Sequence, residues 1–296
     1  MNSTASSLLT VLAAAVVGGL LAVAGGSGGL ELGGVPVFVW SVAIAFGMNW
    51  LAFIPAFLAR TERYYDLFGA TTYLTVTVFA LIAGNTSSTA LVVAAMVAIW
   101  CSRLGSFLFI RVVRDGSDSR FDAIKQSAPR FLMSWTLQGL WVSMTAAAAL
   151  AAMTTAGETS FGVVSFVGVA VWLAGMAIEV TADLQKSAFR KDESNSGRFI
   201  TSGLWAWSRH PNYFGEITLW VGVALVALPS LHGWQFATLI SPLFVTLLLT
   251  KVSGIPMLEA RGKKRWGDEP AYRDYLDSTP ILLPRPPSGD VAGKLG

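Results

Sequence analysis

The sequence predicts an all-α fold, a polytopic bundle of about eight transmembrane helices with both termini in the cytoplasm. Composition points there first: of 296 residues, 53% are hydrophobic and 13% charged, against about 25% charged in an ordinary soluble domain. Mean hydropathy is +0.57, and a chain of this length has no single core large enough to bury so much apolar surface, so lipid is the expected solvent. Second, apolar stretches recur at 8–24, 35–59, 71–84, 90–110, 131–154, 161–181, 213–228 and 234–253. Most approach the ~20 residues a helix needs to cross hydrocarbon while satisfying its own backbone. Third, Lys and Arg alternate: the loops after stretches two, four, six and eight carry them, whereas 25–34, 85–89, 155–160 and 229–233 carry none. Cytoplasmic loops accumulate these residues, which sets an even count and the orientation.

In chain order, the first stretch has no Lys or Arg before it, unlike the charged start of a cleaved signal peptide. The loop 25–34, with six glycines, reads as flexible and external. The third and seventh stretches are short and read as tilted, broken or partly covered by neighbours. From Pro280 the tail is rich in proline and then glycine, and reads as extended and frayed. The expected organisation is one helical domain over 1–287, with 160–285 as its cofactor-binding half and 288–296 as a flexible tail.

Several function classes are excluded at once. Cys101 is the sole cysteine, so there is no intrachain disulfide or four-thiolate zinc site, and two histidines (His210, His232) offer no multi-histidine metal centre. The net charge of +3 marks a cytoplasmic face, with membrane lipids rather than nucleic acid as partners. P-loop, GxGxxG, GxSxG and HExxH motifs are absent.

Charges at membrane depth are costly and therefore candidates for function. Arg103 lies inside stretch four. Glu179 and Asp183 stand at i and i+4, hence on one helix face, followed by Lys186 and Arg190. Such acids suit hydrogen bonding to a nucleotide, or general acid–base work; a solvated helix end is the bland alternative. The densest segment is 198–216, RFITSGLWAWSRHPNYFGE. Pro211 suits a first helical turn, Asn212 and Glu216 then share a face with Tyr213 beside them, and Arg209 and His210 stand at the helix entrance. A helix N-terminus flanked by guanidinium groups is an anion site apt for phosphate. Interfacial Trp and Tyr belts are common, but they do not require Arg209, His210, Asn212 and Glu216 together. The earlier basic loop offers Arg111 and Arg114, and 60–66 forms a polar island with two phenols, among them Tyr65 beside Asp66.

These residues carry a resemblance. Segment 208–216, SRHPNYFGE, with Glu179, Asp183 and Arg190, and the later GIPMLE (254–259), RWGDEPAY (265–272) and Thr279-Pro280, resemble the bacterial branch of the steroid 5α-reductase superfamily, over roughly residues 45–287. The resemblance implies membrane helices holding NADPH in a cavity open to the cytosol, in a bacterial inner membrane. It implies that Asp183 lies near the adenosine end, that Arg190 and Arg198 reach phosphates, that Arg114 corresponds to an arginine of the earlier loop, and that Asn212 and Glu216 meet the nicotinamide, with Tyr213 replacing a family aromatic. Glu179 stands where steroid-reducing members have asparagine. The substrate half departs from the pattern: stretch two offers Asn49-Trp50 without an acid, the nearest acids are Glu62 and Asp66, and Trp100 falls near the family's catalytic tyrosine.

The expected activity is NADPH-dependent reduction of a conjugated carbon–carbon double bond in a lipid-soluble, steroid-like or isoprenoid enone. Tyr65 or Asp66 would hydrogen-bond the carbonyl, with Glu216 at the reacting end of the cofactor. The Arg-His-Pro signature is also similar to isoprenylcysteine-type membrane methyltransferases, which bind S-adenosylmethionine. A transporter or structural membrane protein is the non-enzymatic alternative, disfavoured because the charges gather on one side without paired repeats.

Overall fold

The computed structural model describes residues 3–115, 121–157 and 159–287. The described residues are overwhelmingly helical, with a two-residue-per-strand hairpin as their sheet. Seven helical segments are long and apolar enough to cross a membrane, or eight when a bent pair is taken as one span. Chain packing divides the molecule into two compact units: Met1–Val167 with Val223–Ser241, and Gly168–Gly222 with Pro242–Gly296.

The first unit is built on α1 (Ser3–Gly26), α2 (Val37–Leu58), α3 (Tyr65–Ala83), α4 (Ser88–Asp115), α5 (Ala128–Thr145) and α6 (Ala147–Thr154). Leu12, Val16, Leu20 and Val23 of α1 are exposed, the lipid-facing stripe of a helix with apolar residues all round. Its other side carries glycine: a Cβ at Gly18 would lie 2.7 Å from the Phe46 ring of α2, so ring and backbone meet directly. The glycine-rich segment 25–34 is more ordered than its composition implies. Gly25 and Gly26 complete α1, and Gly33 and Gly34, at φ 64° and 77°, turn a hairpin between β1 (Glu31–Leu32) and β2 (Val35–Pro36). Two successive positive-φ residues are what a two-residue hairpin turn demands.

The third stretch is longer than its apolar run, because α3 begins at Tyr65, whose ring packs against Phe121 and Trp135 at 4.9 and 5.0 Å. The broken span is the fifth. α5 and α6 meet at a 58° bend, where Ser241 inserts its hydroxyl and donates to the Thr145 carbonyl, the kind of intrusion that kinks a helix. All eight residues of α6 are buried. Asn85 fastens its end by donating to the carbonyls of Ala152, Met153 and Thr155.

In the second unit, α7 (Val163–Lys191, from Gly168 onward) and α8 (Pro211–Ala227, as far as Gly222) approach at glycine. A Cβ at Gly215 would lie 2.6 Å from the Glu179 nitrogen and 2.7 Å from the Gly175 oxygen; one at Gly222 would lie 2.5 Å from the Trp172 nitrogen. Small residues of this kind let membrane helices touch backbone to backbone. The unit continues through α9 (Ile240–Leu247, from Pro242), a π turn over Leu248–Val252, α10 (Ile255–Trp266) and α11 (Pro270–Ser278). The tail is not frayed over 280–287. Arg209 N–H donates to the Pro280 carbonyl, the Ser208 hydroxyl to Leu282 and Arg285 N–H to Trp207, so the proline-rich strand is held by the chain it runs beside.

Candidate functional site

The site forms within the second unit, around the connection between α7 and α8. Asp192 ends α7 by accepting from Ser194 N–H at 2.9 Å, a side-chain cap for the turn over Glu193–Asn195. Gly203, at φ 62°, lets the chain turn back against α7. There Leu204 N–H donates to Gln185 Oε1 at 2.9 Å, and the buried Trp205 donates its indole N–H to the Ala182 carbonyl at 3.0 Å. Trp205, Ile200 and Ala182 make a small core with Phe189 and Leu204. Lys186 stands over the Trp205 ring at 4.2 Å, a cation–π contact. On the other side the Tyr275 hydroxyl of α11 donates to the Trp205 carbonyl at 2.8 Å.

Glu259 of α10 organises the entrance of α8. One carboxylate oxygen accepts from Arg209 Nη1 at 2.8 Å and the other lies 2.9 Å from His210 Nε2. His210 is buried, and its ring lies nearly parallel to that of Tyr213, 5.7 Å away. Burial pulls the His210 pKa below its ordinary value and outweighs the raising effect of Glu259, so the ring is neutral at pH 7. Tyr272 and Tyr275 are pushed up, chiefly by burial, and stay protonated.

Together these elements line a cavity of about 310 Å³. Lys186, Arg190, Arg198, Arg209, Arg261 and Arg265 contribute six cationic side chains against the one acid, Glu259; Phe199, Trp205, Trp266, Tyr272 and Tyr275 supply aromatic wall. Phe199 meets Tyr272 at 4.9 Å edge to face, and Arg265 stands 4.9 Å over Trp266. Such a chamber can bind a polyanion through charge-assisted hydrogen bonds and stack a planar ring beside it.

Of the residues singled out from sequence, Arg190, Arg198, Arg209 and His210 are brought together on this cavity. Glu179 and Asp183 on α7, and Asn212, Tyr213 and Glu216 on α8, belong to the same unit but do not line it. Glu179 is buried at the Gly215 crossing. Tyr65 and Asp66 belong to the first unit. The Tyr65 hydroxyl donates to the Ser134 carbonyl at 2.8 Å, and Asp66 lines a small cleft with Tyr73, Trp100 and Trp141. The Arg114 side chain lies outside the described residues. Sequence reasoning left Arg261, Arg265 and the aromatics of α10 and α11 out of the site, and named Lys186 and Glu259 without giving them a place in it. The available signal was the interleaving of basic and aromatic residues over 261–275. Among the described residues, no group of three His, Cys, Asp or Glu side chains is set to hold a metal ion.

Residues 52–279 match the family described as "Protein of unknown function (DUF1295)". Among curated proteins, the chain is 30% identical over 118 residues to 3-oxo-5-alpha-steroid 4-dehydrogenase 1 of Rattus norvegicus, covering 40% of each chain. A similar match links it to the Bos taurus protein of the same name. It is 30% identical over 93 residues to a probable O-methyltransferase, ustE, of Ustilaginoidea virens, covering 31% of this chain and 32% of that one. The chain thus spans about two-fifths of the length of the steroid dehydrogenases it matches. No solved structure matches. With the match running over more than half its length, the chain belongs to the DUF1295 family, a steroid 5α-reductase-like family of membrane proteins.

Proposed function

We propose that the protein is an NADPH-dependent membrane reductase that saturates a conjugated carbon–carbon double bond in a lipid-soluble enone. The observation that carries this reading is the cavity with six Lys or Arg against one Glu, walled by aromatics. That donor set fits NADPH, whose diphosphate and additional phosphate need cations and whose rings need stacking surface. S-adenosylmethionine carries a sulfonium and an ammonium against one carboxylate and has no phosphate, so a strongly cationic chamber suits it poorly. The methyltransferase relative keeps that ligand as the comparison to be tested.

In this account Arg190, Arg198, Arg209 and Arg265 bind the phosphates, and Arg114 is kept as a cofactor-binding residue on the resemblance alone. Asp183 and Glu179 add polar contacts to the cofactor from α7, while Asn212, Tyr213 and Glu216 orient the nicotinamide. NADPH, when bound, supplies the hydride. The chain's own task is to orient cofactor and enone, exclude water and stabilise negative charge on the carbonyl oxygen as it develops. Of the two groups expected there, Tyr65 already donates its proton to Ser134. Asp66, at a cleft beside Tyr73 and Trp100, is the second group proposed to hydrogen-bond the carbonyl. The distribution of Lys and Arg supports an inner-membrane protein with cytoplasmic termini and a cytoplasmic cofactor site.

The test is a fluorescence titration with NADPH in detergent, read through Trp205 and Trp266 at the cavity wall. Saturable quenching is expected, weakened about tenfold or more by Arg198→Ala, as for loss of a charged hydrogen bond. Equal affinity in wild type and variant would remove Arg198 from the site, and no binding at all would remove the cofactor.

A further inference from the structure

The cavity holds a polar group that phosphate does not satisfy. The Glu259 carboxylate beside His210 Nε2, at 2.9 Å, needs a donor, so in the neutral ring the proton sits on Nε2 and Nδ1 is a bare lone pair. His210 is 5% exposed and lines the cavity, and Nδ1 is buried with no partner among the described residues. Two neighbours share this condition: Arg209 Nε, a donor, and Asn212 Oδ1, an acceptor in the assigned amide orientation. Such atoms are usually paired, and of these three Arg209 and His210 line the cavity. A phosphate dianion only accepts, so it could serve Arg209 Nε but would meet Nδ1 lone pair to lone pair. The missing group must donate as well as accept, which is the chemistry of a hydroxyl.

We propose that His210 Nδ1 accepts the 3′-hydroxyl of the adenosine ribose of an adenosine diphosphate moiety held in this cavity, making His210 its sugar-reading residue. The proposal rests on the nucleotide reading above and adds the part of the nucleotide this chamber takes. At about 310 Å³, the cavity lies at the small end of ligand pockets (~300–1,000 Å³), room for half of a dinucleotide. Within that half the cations take the diphosphate, Trp266 and Tyr272 flank the base, and His210 at the mouth of α8 meets the sugar between them. Glu259 is the positioning residue, because its carboxylate fixes which ring nitrogen carries the proton.

The test compares ADP with 2′,3′-dideoxy-ADP, which keeps base and phosphates and lacks both hydroxyls, against the full-length protein in detergent by calorimetry. Wild type should bind ADP about fivefold tighter, the ratio expected for one hydrogen bond. His210→Gln retains an N–H toward Glu259 but lacks Nδ1, and should bring the ratio within twofold while leaving dideoxy-ADP affinity unchanged. A purely structural role would weaken both nucleotides together. His210→Asn, whose amide stands near the Nδ1 position, gives a second folded variant and should restore part of the ratio. Equal wild-type affinities, or a ratio that survives His210→Gln, would overturn the role of His210 and leave the nucleotide reading intact. Failure of both ADP and NADPH to bind would overturn the two together.

Discussion

Substituting Gly215 by Ala tests the helix crossing that underlies the second unit. The added Cβ would lie 2.6 Å from the Glu179 nitrogen, 2.7 Å from the Gly175 oxygen and 2.9 Å from the Glu179 Cβ. Optimal separations are roughly 3.5–4.0 Å, so the backbones must part by about 1 Å. Two of the three atoms are backbone and the third is a Cβ fixed to it, so none can swing away. Overpacking costs about 1–3 kcal/mol, the upper half, about 2–3, applying where rigid backbone is the obstacle, and the better helix propensity of Ala returns up to ~1 kcal/mol, leaving roughly 1–2 kcal/mol of destabilisation. At about 2–4 °C per kcal/mol, the midpoint should fall by roughly 2–8 °C in a thermal melt followed by circular dichroism in detergent. Gly19→Ala is the internal control: nothing lies within 4 Å of its added Cβ, so its melt should match or slightly exceed wild type. A Gly215→Ala protein melting with the control would refute backbone-to-backbone packing at this crossing.

Other consequences follow from the same structure. Because burial holds the His210 pKa below 6.5, the unfolded chain binds more protons than the folded one near pH 6. Stability should therefore fall as pH drops through 6.5 toward the folded value, and His210→Gln should flatten that part of a melting profile taken between pH 5 and 8. Ending the chain after Thr279 removes the bonds that Arg209 and Ser208 donate to the tail and the one that Arg285 of the tail donates to Trp207. At ~1 kcal/mol each, it should destabilise the protein by about 2–4 kcal/mol and weaken NADPH binding, both measurable in parallel melts and titrations. Ser241→Ala deletes the donor to Thr145 at the α5–α6 bend. It should cost about 1–3 kcal/mol by leaving a buried carbonyl unmet, seen as a lower melting temperature without loss of anion binding.

Much of the helical layout is legible in the sequence because hydrophobicity over ~20 residues is what lipid selects. The eight stretches correspond to the observed spans, the fifth as a bent pair. Boundaries escape where polar or aromatic residues continue a helix, as at Tyr65, where ring packing rather than hydropathy starts α3. The bend at Thr145 escapes because the hydroxyl that meets its carbonyl comes from 96 residues away in sequence. The order of segments 25–34 and 280–287 escapes for a related reason. Glycine and proline announce a turn or an extended strand, but the hydrogen bonds that hold it come from elsewhere. On the site side, Arg190, Arg198, Arg209 and His210 are visible as a dense polar run beside a helix start. Arg261 and Arg265 share a segment with Lys263 and Lys264 and read there as topology. Only the folding of α10 and α11 against the α7–α8 connection separates the charges that line the cavity from those that face away.

The central claim is that the cationic cavity holds a nicotinamide nucleotide. Its most direct test is native mass spectrometry of the protein purified in mild detergent, with the released small molecule identified by its fragments. The account predicts NADPH or its oxidised form, displaced by excess 2′-phosphorylated nucleotide and diminished in Arg198→Ala. S-adenosylmethionine in its place would contradict the account and assign the chain to methyl transfer.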